Sequence, residues 1–218
     1  MKRAHSISTA FLLAAAFLLS CAPLGAQEVI DRIVARVEND VILLSDIRLL
    51  SRYQLLLNGK SESDADILDR LIDQWIVRSE ATAAHTPKPT DADIERGLQR
   101  LQQSFANRPD YEARRKLADL SEADVRNLTA DQLYLDNYLD SRFRPSVQVD
   151  EQAIQNFYQT AVLPRAKARG QNPPSLDAAH DYIQEALVQD GINAQADRWL
   201  KEGHARIHIT KMLQENQP

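Results

Sequence analysis

The sequence predicts a mainly α protein with one small β-sheet, formed by an N-terminal hairpin and a strand close to the C-terminus. Three observations predict it. The 218-residue chain has six glycines, where average usage is about 7 %, which leaves little room for the turns of an all-β fold. Apolar residues recur at spacings of three and four through most of the chain, in segments opened by Ser, Thr or Asp at cap positions. Alternation with a period of two occurs near residues 30–37 and again at 206–210.

Residues 1–26 read as a targeting segment. Lys2 and Arg3 supply a positive start, residues 10–19 an apolar core, and Leu24-Gly25-Ala26 a cleavage site with Leu where a small residue is preferred. The apolar run is too short to cross a bilayer, which takes about 20 residues. Export and cleavage are expected, leaving no transmembrane span in the mature chain. Leu18-Leu19-Ser20-Cys21 also has the pattern of a bacterial lipoprotein signal. Two products are therefore open: a soluble one that discards Cys21 with the leader, and one anchored through lipidated Cys21. Neither holds an internal disulfide, because Cys21 is the single cysteine.

The next stretch, residues 29–47, is the nucleus of the expected fold. Ile30, Ile33, Ala35 and Val37 are interleaved with Asp31, Arg32 and Arg36, as in a half-buried strand. Glu38-Asn39-Asp40 tolerates turn dihedrals, and residues 41–44 run back as the second strand. Ser45 is the expected helix N-cap, with Asp46 at the first helical position.

The helices follow in order. Ile47, Leu49, Leu50, Tyr53, Leu56 and Leu57 mark the first, which stops at Asn58-Gly59. Ser61 or Ser63 caps the second, whose apolar face is Ile67, Leu68, Leu71, Ile72, Trp75 and Ile76. Its acidic residues Asp64, Asp66, Asp69 and Asp73 read as a solvated face, because no Gly-bearing loop gathers them around a cation. Residues 85–89 break the helix, and Thr90 restarts it with Ile94, Leu98, Leu101 and Phe105 inward; Asn107-Arg108-Pro109 ends it. A short helix over residues 111–117 precedes the expected longest one, begun at Ser121, with Val125, Leu128, Leu135, Tyr138, Leu139 and Phe143 buried. A basic helix with Arg165, Lys167 and Arg169 leads to a short linker at residues 170–174. Ser175 then caps a helix expected to bend at Gly191 and to continue through Trp199 and Leu200, followed by a strand over residues 205–211.

Composition narrows function. The net charge is −5, and losing Lys2 and Arg3 makes the mature chain more acidic, which argues against nucleic acid as partner. No G-x-S-x-G elbow, P-loop, H-E-x-x-H or C-x-x-C pattern occurs. His204 and His208 have a helical metal-ligand spacing, but Gly203 and the alternation after it put at least one on a strand. No metal, cofactor or catalytic site is expected. Six tyrosines suit a surface that binds apolar chains, since the ring is apolar and its tip polar. Tyr138 and Tyr158 read as core; Tyr53, Leu56 and Tyr134 are the candidate peptide-binding residues.

Ile33, Val34, Ala35, Val37, Asn39, Val41, Ile42, Leu43, Ser45 and Asp46 together resemble the opening of the mature part of SurA-type periplasmic chaperones. Glu38-Asn39 departs from that pattern, which alters the turn and not the fold. The order of helices is similar to the SurA N-terminal domain, and Val147, Val149, Asp150, Ile154, Phe157 and Tyr158 match the segment that follows it. Trp199, Leu200, Ala205, Ile207 and Ile209 resemble the family's returning C-terminal helix and strand. The glycine-rich parvulin prolyl isomerase domains have no counterpart here. The resemblance implies a signal peptide at residues 1–26, a SurA-like helical domain at 27–165, and a C-terminal helix and strand at 166–218 that pack back on it. It also implies a periplasmic, ATP-independent holdase for unfolded outer-membrane proteins, without isomerase activity. The alternative is a dedicated envelope assembly or scaffold factor with one folded partner, tethered through Cys21.

Overall fold

The computed structural model describes residues 31–213; the signal-peptide reading and Cys21 lie outside the described residues. Strand β1 (Ile33–Val37) pairs antiparallel with β2 (Asp40–Leu43) on one side and with β3 (Ile209–Lys211) on the other, in the order β2-β1-β3. The fold class expected from the sequence is the one observed. Val37 faces Asp40 across the two-residue turn Glu38-Asn39. Glu38 takes a φ of +52°, which costs an L-residue about 1 kcal/mol. Two hydrogen bonds hold it there: its backbone N–H donates to the His208 carbonyl at 2.9 Å, and its Oε1 accepts from the His208 N–H at 2.6 Å. The Glu38 turn is thus tied to His208, 170 residues later.

Helix α1 (Leu44–Asn58) starts with no linker after β2. Its N-cap is Leu43, so Ser45 is not the cap and Asp46 stands one turn in, at the third helical position. From there its carboxylate accepts the Leu43 N–H at 2.8 Å, which satisfies an end donor and suits the helix dipole. Gly59, at φ +72°, closes the helix. Ser63 caps α2 (Asp64–Ala83), Thr90 caps α3 (Asp91–Gln103) and Ser121 caps α5 (Glu122–Phe143), each accepting from the backbone N–H three residues on. Asn107 caps the intervening α4 (Arg108–Leu117), so Asn107-Arg108-Pro109 opens that helix, with Pro109 in a first-turn place where no N–H is needed. His85 and Asp119 end α2 and α4 in the left-handed region, at φ +55° and +52°. In both, the residue's own N–H and that of the residue after it return to carbonyls of the last turn.

Helix α6 (Glu151–Phe157) runs through a π turn (Tyr158–Val162) into α7 (Leu163–Ala168). The Tyr158 hydroxyl donates to the Pro174 carbonyl at 2.6 Å and closes the loop that follows. The longest helix is α8 (Leu176–Arg206), capped by Ser175, and not α5. It passes through Gly191 and Gly203, so the strand expected from residue 205 starts only at Ile209. These glycines are contact points: a Cβ on Gly191 would lie 2.6 Å from Val147 Cγ1, and one on Gly203 3.2 Å from Ile76 Cγ2. Gly191→Ala is expected to destabilise the protein by about 1–2 kcal/mol in urea titration, overpacking exceeding the helix-propensity gain. Val147→Ala in the same chain should restore most of the loss.

The main core joins Val34 and Val37 of the sheet, Ile67, Ile72 and Ile76 of α2, Leu135 and Tyr138 of α5, and Ile192 and Trp199 of α8. The segments the sequence divided at 165/166 therefore share one core, and the chain from Arg32 on is one compact unit. A second cluster lies under α1, α4 and the start of α5, around Tyr53, Leu56, Tyr111 and Val125. A third joins α6 to the first half of α8, around Ile154 and Ile183. The acidic face of α2 is not wholly solvated. Asp69 pairs with Lys211 of β3, and Asp73 Oδ1 meets His204 Nε2 at 2.6 Å.

Candidate functional site

The three peptide-binding residues expected from the sequence are not brought together on a surface. Leu56 is fully buried and Tyr53 nearly so, both in the second cluster. Tyr134 is half-buried against the main core. The surface reading fails for Tyr53 and Leu56 because α4 folds over that face of α1; burial, with the Asp136 carboxylate in addition, pushes the Tyr53 phenol up.

The neighbour of Leu56 is what faces out. Leu57 is 41 % exposed and Leu117, in the last turn of α4, 74 %. Between them runs an open cleft of about 490 Å³ along α1 and α4, walled by Phe105, Ala106 and Ala113 and edged by Asp110 and Arg114. Its floor is held in place. Phe105 meets the buried Tyr111 edge-on, with ring centroids 5.4 Å apart, and the Arg114 guanidinium lies 5.4 Å over the Phe105 ring. The sequence placed Leu57 and Phe105 on buried stripes and Leu117 in a short helix. Three consecutive leucines, Leu55 to Leu57, near the end of a helix carry a signal that they do not all point inward, but which one faces out is decided by where α4 packs.

On the other side of α4 a cleft of about 470 Å³ is lined by Leu98, Gln99, Gln102 and Tyr111 and rimmed by charge. Arg126 binds Asp91 at 2.8 Å and also pairs with Glu95. Arg115 donates to Glu112 at 2.7 Å, which holds that carboxyl below its ordinary value. Burial raises the Tyr111 phenol, against the nearby Arg115.

A third cleft, about 540 Å³, lies where the ends of α2 and α5 meet. Ala84, His85, Thr86 and Pro87 line one side and Asn137, Tyr138, Ser141 and Arg142 the other. Burial raises the Tyr138 phenol; Arg142 opposes that rise and Glu80 adds to it.

Among the described residues no three His, Cys, Asp or Glu side chains gather as metal ligands. His180 bonds Glu151 at 3.1 Å and Asp181 at 3.3 Å, which hold its pKa above the ordinary value. His204 is helical and His208 lies just before β3, so the pair does not share one helix face. No described helix is long and apolar enough to cross a membrane. No protein-family model matches the chain, and no curated protein matches it significantly.

Proposed function

We propose that this chain is an ATP-independent holdase of the periplasm that shields unfolded outer-membrane polypeptides. The observation that carries the reading is the Leu57–Leu117 cleft. Two leucines stand exposed beside a fixed aromatic floor, and a polar rim of Asp110 and Arg114 borders them. Exposed leucines adjoining an apolar floor are a surface that the apolar side chains of an unfolded polypeptide can cover. A shallow open cleft takes side chains of many shapes without demanding one sequence. The small area it buries favours modest affinity and quick release, which a chaperone without ATP needs. The resemblance of residues 33–46 to the SurA opening supports the same reading, and it assigns the chain no catalytic step.

The test is light scattering of a urea-denatured porin diluted into buffer with and without the purified chain. Suppression near equimolar ratio is expected. Leu57→Asp with Leu117→Asp should weaken client binding about tenfold or more, since each buried leucine contributes about 1.5–3 kcal/mol. Circular dichroism should be unchanged, because neither side chain is buried in the free protein. A chain that suppresses nothing while fully folded would overturn the reading in favour of a single-partner assembly factor.

A further inference from the structure

Arg142 is held by aromatic rings. Its guanidinium lies 5.1 Å from the Trp199 ring centroid, 5.5 Å from Phe143 and 5.9 Å from Tyr138. Such contacts restrain a side chain that otherwise keeps much rotamer freedom. Of its five N–H donors one is used, Nη1 donating to the Tyr138 hydroxyl at 3.2 Å. Among the described residues it has no carboxylate partner. The side chains of His85 and Asn137, which line the same 540 Å³ cleft, likewise make no hydrogen bond there.

We propose that the His85–Arg142 cleft binds a single carboxylate carried on a small apolar body, with the edge of the Arg142 fork as its seat and Asn137 and His85 as further donors. The charge count selects this ligand. A phosphate carries more charge and more acceptors than one arginine matches, whereas a planar carboxylate takes two parallel N–H bonds from one guanidinium edge. Arg142 lies among three rings and uses one donor on Tyr138, which leaves N–H groups of the fork for such a pair. Of the carbonyls at the end of α2, those of Glu80, Ala81 and Thr82 already accept from Ala84, Thr86 and His85; the negative end of the helix still opposes an anion, and the Arg142 charge has to outweigh it. On α5, the Tyr138 and Phe143 carbonyls accept from Ser141 and Ser146. Ala84, Pro87 and the Tyr138 ring supply the apolar wall. Glu80 is the acidic group that acts on Tyr138, and it disfavours the anion. The site is separate from the Leu57–Leu117 cleft and does not depend on the holdase reading.

The carboxylate has two possible sources, the free end of a polypeptide or a small acid, and calorimetric titration of the full chain separates them. The probes are acetyl-Gly-Gly-Leu with a free C-terminus, the same peptide amidated, and benzoate. Saturable binding of the free peptide with none of the amide assigns a chain terminus. Saturable binding of benzoate alone assigns a small acid. In either case Arg142→Gln should weaken binding about tenfold or more and Glu80→Gln should tighten it, while Arg169→Gln, an exposed arginine after α7 that lines none of the three clefts, changes nothing. Equal binding of free and amidated peptide, no saturation by any probe, or unchanged affinity in Arg142→Gln would overturn the proposal.

Discussion

Removing residues 208–218 is expected to lower the melting temperature by about 10 °C or more and to broaden the transition seen by circular dichroism. Four connections are lost together. Strand β3 leaves β1, and the Met212 N–H no longer reaches the Val34 carbonyl, a bond of 2.8 Å. Lys211 leaves Asp69, and Glu38 loses both bonds that hold its left-handed turn. Ile209 and Leu213 also stop covering the main core. At about 1 kcal/mol for each of these four connections and for the lost core cover the total reaches about 5 kcal/mol, and each kcal/mol moves the midpoint by about 2–4 °C at this chain length. The chain ending at Leu213, which keeps every one of these connections, is the reference for the comparison. Were the shortened chain to melt unchanged, β3 would be an accessory to the sheet and not its clasp. The exposed edge of β1 should also make the truncated protein aggregate at concentrations the control tolerates.

Trp199→Ala is expected to cost about 3–5 kcal/mol in urea titration, the range for removing a large aromatic from a core. Trp199 is 7 % exposed and ties α8 to α5. Its ring lies 6.1 Å from Tyr138 and 5.9 Å from Phe143, and the Arg142 guanidinium sits over it. Trp199→Phe keeps the contact with both rings and should cost less than half as much. An alanine variant as stable as the parent would mean that α8 is held by its ends and not by this cluster. The same substitution frees Arg142, so carboxylate binding should weaken even where the fold survives.

Much of the backbone was legible because its signals are local. Ser63, Thr90, Ser121 and Ser175 sit at helix starts, where a short hydroxyl side chain satisfies an end N–H from three residues away. Alternation near Ile33 and Ile209 marked the strands, and the scarcity of glycine marked the helical class. The differences have one kind of cause. Asn107-Arg108-Pro109 signals a helix end as readily as a start, because capping and breaking draw on the same residue types, and Gly191 suggests a bend because nothing nearby in sequence reveals Val147 against it.

The sequence by itself determined the order of the elements, most of their caps, and the presence of an N-terminal hairpin and a late strand, since each is written in spacings of two to four residues. Tertiary structure alone decided which leucine at the end of α1 is buried and which is exposed, and the burial of Tyr53. It alone paired the acidic face of α2 with His204 and Lys211, more than 130 residues away, and set Arg142 over three rings drawn from two helices. Exposure and pairing depend on what packs against a face, and helical periodicity describes only the face.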